Sequence, residues 1–116
     1  MTIRECYNVF GGDFDGVMKR LIDENRVERF ALKFLDESSM KQLRISLIED
    51  DQEGAFRAAH TLKGVCQNLG FDNLYQVSFD ITEKLRGRET DGCEELFAKV
   101  EEQYKKTTDA IHMMED

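Results

Sequence analysis

Residues Gln52–Leu69 read QEGAFRAAHTLKGVCQNL and stand between Asp50-Asp51 and Gly70. On a helical wheel of 100° per residue, Ala55, Leu62, Cys66 and Leu69 gather roughly 180–240° from His60, with Ala58 and Ala59 at the edges of that sector. An aspartate ahead of the stretch can accept the free N–H groups of a first helical turn. A glycine behind it can take the left-handed conformation that closes a helix. One long amphipathic helix is predicted. A strand would need period-two alternation, and none persists beyond a few residues anywhere in the chain.

The same pattern extends in both directions. Upstream, Met40, Leu43, Leu47 and Ile48 mark one helix, preceded by a break near Asp36 to Ser39. Val27, Phe30, Ala31 and Phe34 form an earlier stripe. Before that, Asp13 is placed to cap a helix with Phe14, Val17, Met18, Leu21 and Ile22 on its buried side. A short helix follows Thr2 and stops at Gly11-Gly12. Downstream, Asp72 restarts a helix carrying Leu74, Val77, Ile81 and Leu85, closed by Gly87. The last helix runs from about Cys93 to Met114 on Leu96, Phe97, Val100, Tyr104, Thr107 and Ile111. Short connections between such helices predict an all-α, up-and-down four-helix bundle with one or two extra short N-terminal helices. With no repeat or linker, residues 1–116 are expected to form a single domain.

Composition narrows the function classes. The chain of 116 residues is 41% hydrophobic and 34% charged, with no proline and a net charge of −8. It is too apolar for a disordered tail, and no stretch approaches the roughly 18 apolar residues of a membrane span. The acidic balance disfavours nucleic acid and anionic membranes as partners. Cys6, Cys66 and Cys93 are odd in number and lack a C-x-x-C pair, which fits reduced thiols in a cytoplasmic protein rather than a disulfide frame or a metal site. His60, His112 and the cysteines show no ligand spacing, so neither a metal nor a cofactor of the chain's own is expected. His112 reads as inert.

The outer face of the 52–69 helix breaks local rules. His60 lies opposite the apolar sector, and Phe56, Lys63, Gly64 and Gln67 fall within roughly 60° of it. Gly64 sits in mid-helix, where glycine costs about 1 kcal/mol relative to alanine. Phe56 puts a large ring where solvent is expected. Most exposed histidines are inert, but Leu62, Lys63 and Gly64 at these offsets from one of two histidines would arise by chance on the order of once in a thousand.

The segment Ala58-Ala59-His60-Thr61-Leu62-Lys63-Gly64, ending Asn68-Leu69-Gly70, resembles the signature of histidine-containing phosphotransfer (HPt) domains. The upstream Phe10-Gly11-Gly12-Asp13 and the helix order are also similar to that family. The resemblance implies that His60 accepts a phosphoryl group, that Lys63 supports its charge, and that Gly64 keeps a partner's approach clear. Members often carry a Gln or Arg near the phosphate on the next helix. Here Arg86 is the candidate for that contact and Thr82 the weaker one, on a side shared with Tyr75 and Phe79. The partner-binding surface is expected to comprise Phe56, Gln67, Tyr75, Phe79 and Arg86.

The chemistry is consistent with these residue types. An ordinary imidazole, with a pKa of about 6.5, is largely neutral at pH 7 and can attack phosphorus without a separate base. Phosphoryl transfer needs positioning and charge stabilisation above all. A histidine on a convex helix has no pocket, so any magnesium must belong to the partner. There is no G-x-x-x-x-G-K-[ST] or G-x-G-x-x-G sequence, which argues against an autonomous kinase. The expected role is a monomeric phosphorelay carrier between receiver domains or a hybrid histidine kinase. The alternatives are a non-catalytic interaction module and a detached phospho-accepting domain of a chemotaxis-type kinase. The lack of a tail or linker favours the free carrier.

Overall fold

In a computed structural model of the chain, described here for residues 1–114, the helices are α1 (Ile3–Phe10), α2 (Phe14–Leu21), α3 (Glu24–Phe34), α4 (Ser39–Ile48), α5 (Gln52–Leu69), α6 (Asp72–Leu85) and α7 (Glu94–Met113). There is no strand among the described residues. Helices α4, α5, α6 and α7 run up and down, each packed on the next. The ring closes where Arg44 of α4 pairs with Glu101 of α7 at 3.2 Å. The first leg is split: α4 lines the N-terminal half of α5, and across the break at residues 35–38 Phe30 and Phe34 of α3 lie beside Val65 and Leu69. The short helices α1 and α2 are the two extra N-terminal elements.

Local chemistry sets these boundaries. Thr2 and Glu5 form a reciprocal capping box, with the Glu5 amide donating to Thr2 Oγ1 at 3.1 Å and the Thr2 amide donating to Glu5 Oε1 at 2.7 Å. Asp13 and Asp51 each accept the amide three residues on, from Gly16 and Gly54, at 3.0 Å. α5 ends at Gly70, whose φ of 70° is left-handed.

The N-terminal helices clasp the far end of α5. Tyr7 is fully buried and donates its hydroxyl to the Leu69 carbonyl at 2.6 Å. The Asp13 amide donates to the Gly70 carbonyl at 2.8 Å, and Arg20 Nη2 donates to the Asn68 carbonyl at the same distance. A Cβ on Gly12 would lie 2.7 Å from that Gly70 oxygen, so only glycine permits the approach. Around the clasp, Tyr7, Phe10, Phe14, Phe34 and Phe71 interlock at centroid separations of 4.9–5.6 Å, mostly tilted or edge-on. α1 also seals the C-terminal end of α7, where the Cys6 thiol donates to the Ala110 carbonyl at 3.2 Å.

Several positions depart from the periodic reading. Ile22 is 80% exposed and has a φ of 70°, because α2 ends at Leu21 and the chain reverses at once to the Asp23 cap of α3. Phe30 is 40% exposed, since α3 seats Val27, Ala31 and Phe34 inward and leaves Phe30 beside Lys33. Ile48 is 77% exposed at the end of α4. Helix α6 stops at Leu85 with Arg86 as its cap, and the left-handed residue in the turn beyond is Arg88, not Gly87. No helix of the described residues is long and apolar enough to cross a membrane. The three cysteines are free and buried.

Candidate functional site

α5 presents the motif residues as its two faces require. Ala55, Ala59, Leu62 and Cys66 are fully buried against the neighbouring helices, which turns His60 outward into solvent. Lys63 and Gly64 are half-buried and Gln67 is exposed along the same strip. A Cβ built on Gly64 would meet nothing within 4 Å. The glycine therefore satisfies no packing demand inside the molecule.

The Phe56 ring stacks on the His60 imidazole, with centroids 5.9 Å apart and planes 9° from parallel. It is not the bare apolar surface that the wheel suggests. The Arg88 guanidinium lies 3.9 Å from its centroid and that of Arg86 lies at 5.4 Å. Arg86 is thus brought to the His60 side of the bundle, where Glu83 holds it at 2.8 Å. Lys63 Nζ stands 5.7 Å from the Phe79 ring, and Tyr75 tilts against Phe79 at 6.2 Å. Thr82 goes elsewhere. It is fully buried and donates its hydroxyl to the Ser78 carbonyl at 2.6 Å, so it cannot serve a phosphoryl group at the surface. It falls on the inward side of α6, one residue from the buried Ile81.

The electrostatics of this patch oppose those of the whole chain. Lys63, Arg86 and Arg88 gather over the Phe79 and Phe56 rings beside the imidazole, in a molecule whose net charge is −8. Two carboxylates balance them in part. The hydrogen bond from Arg88 holds the Glu53 carboxyl below the usual range, and that from Arg86 does the same for Glu83, which also feels Lys63. Among the described residues, Lys63 has no carboxylate within ion-pair distance. Sequence reasoning missed Arg88 and Glu53. The run Lys84, Arg86, Arg88 in an acidic chain was the available signal, but helical periodicity says nothing about a loop residue.

A family model described as the Hpt domain matches residues 30–112, from within α3 to the last turns of α7. The chain belongs to this family of helical phosphotransfer domains, which act in His–Asp phosphorelays as carriers and not as kinases. No curated protein and no solved structure matches the chain significantly.

Proposed function

We propose that the chain is a phosphorelay intermediate: His60 takes a phosphoryl group from the aspartyl phosphate of one receiver domain and passes it to the aspartate of another. The observation that carries this reading is the open space at Gly64 beside the exposed His60. A mid-helix glycine with no internal packing role is accounted for by something outside the molecule that must come close. Family membership makes a receiver domain, alone or within a hybrid kinase, that visitor.

The unprotonated nitrogen of the imidazole attacks phosphorus and forms the N–P bond. The acyl P–O bond breaks, and the carboxylate leaves with the bonding pair. The second ring nitrogen keeps its proton, so the phosphorylated ring carries the positive charge until transfer onward reverses the step. Lys63 supplies a positive charge one turn away, placed to stabilise the equatorial oxygens. Arg86 would join it by leaving Glu83. Magnesium belongs to the receiver, and the carrier works as a cytoplasmic monomer without ATP chemistry. Phe56, Gln67, Tyr75, Phe79 and Arg86 form the docking surface around His60. The test is incubation with a phosphorylated receiver: label should move to the wild-type chain, and none should appear from ATP alone. Label on a residue other than His60 would overturn the reading.

A further inference from the structure

Arg88 is an unusual residue in an ordinary connection. It lies in the α6–α7 loop with a φ of 60°, a left-handed conformation that costs a non-glycine residue about 1–2 kcal/mol. Its neighbour Gly87, which could take that conformation cheaply, does not. Three contacts hold the strained residue in place. Nε donates to Glu53 Oε2 at 2.5 Å, Nη1 donates to the Arg86 carbonyl at 2.9 Å, and the guanidinium lies 3.9 Å from the Phe56 ring centroid. Glu53 and Phe56 both belong to α5, three residues apart and therefore on one side of the helix. The next residue on that side is His60, whose ring lies nearly parallel to that of Phe56.

We propose that Arg88 is a positioning residue for phosphoryl transfer: it pins the Phe56 ring, and through that ring holds the His60 imidazole in one orientation. Arg88 need not touch the phosphoryl group. Two anchors fix its guanidinium before it meets the ring, and a planar group over an aromatic face limits how that ring can turn. An imidazole on an exposed helix would otherwise sample several rotamers. Holding one of them raises the fraction of docked complexes in which the ring nitrogen faces phosphorus, and small misplacements of a reacting atom are costly. A strained residue kept in place by side-chain contacts beside a reactive group is the usual sign of such a device.

This inference rests on the phosphorelay reading, but one arm of its test does not. That arm is NMR of the His60 ring protons, which the Phe56 ring current displaces. In Arg88→Ala they should move toward the values of Phe56→Leu, whether or not the protein is ever labelled. The second arm is single-turnover transfer from a phosphorylated receiver. Arg88→Ala should lower the rate at saturating receiver by about tenfold while the half-saturating concentration stays unchanged. Phe56→Leu should lose a similar factor, and the double variant should lose no more than either single one. Unmoved ring protons in Arg88→Ala would overturn the proposal. So would a loss confined to half-saturation, additive losses, or a rate that falls in Arg88→Ala but not in Phe56→Leu. Failure of the wild-type chain to accept label would instead overturn the phosphorelay reading, with the NMR arm still decisive for the stack.

Discussion

At the scale of single residues, His60 and Gly64 make opposite demands on stability and function. His60→Gln should abolish labelling and shift the melting temperature little, because the side chain is exposed and its ring stacks on Phe56 outside the core. Labelling of purified His60→Gln by a phosphorylated receiver, read beside its thermal melt, checks both halves. Gly64→Ala should stabilise the fold by about 0.5–1 kcal/mol, since the added methyl meets nothing and the helix gains a better former. Gly64→Leu should fold equally well but slow transfer, because the larger side chain occupies the receiver's approach. Wild-type transfer by Gly64→Leu would show that the open space is incidental. Ile22 offers the converse case, strain with no stacking partner. Ile22→Gly should gain about 0.5–1 kcal/mol by relieving its left-handed conformation, read from denaturant midpoints.

At the scale of elements, the clasp between α1 and the end of α5 governs whether the motif helix is held along its whole length. The Tyr7 hydroxyl, the left-handed Gly70 and the close approach at Gly12 converge on a single turn. Removing the Tyr7 hydroxyl leaves the Leu69 carbonyl without that partner in a buried aromatic cluster. Tyr7→Phe should therefore cost about 1–3 kcal/mol. Hydrogen exchange should show the loss first at the C-terminal turns of α5 and in α1. His60 lies several turns away, so transfer at a temperature where the variant is folded should be unaffected.

At the scale of the whole molecule, three buried thiols give the fold an alkaline limit. Burial pushes the Cys66 thiol far up, and Cys6 and Cys93 move in the same direction for the same reason. An unfolded cysteine ionises near pH ~8.5. Above that pH the folded chain binds more protons than the unfolded one, so stability is complete below it and falls as pH rises. Cys66 alone should contribute a loss of about 1.4 kcal/mol per pH unit over that range. Melting temperatures should drop between about pH 7.5 and 9.5, and Cys66→Ala, though less stable at neutral pH, should show a shallower decline.

How much of this could be read without a structure depends on the kind of information each feature carries. A helix is a local object: its hydrogen bonds close within four residues, and its caps and periodicity are written in adjacent positions. Asp13, Asp51 and Gly70 were therefore legible as boundaries, and the wheel separated His60 from the face of Leu62 and Cys66. The motif around His60 was legible for the same reason, since its stretch from Ala58 to Gly64 lies within two turns of one helix. Ile22 and Phe30 were misread because periodicity locates a stripe but not where the chain turns away or which neighbour is missing. Thr82 and Arg86, four residues apart at the end of α6, share one side of that helix in the sequence pattern, with Arg86 the stronger candidate. Only the packing of α6 sent one into the core and the other toward Phe56. The basic run marks Arg88 as a cation but not its contacts, because its meeting with Glu53 and Phe56 joins positions more than thirty residues apart through a loop. By itself the sequence determined the helices, the outward histidine and its family. Tertiary structure alone decided which side chains from other elements surround that histidine, because non-local contacts depend on the relative placement of whole helices and leave no periodic trace.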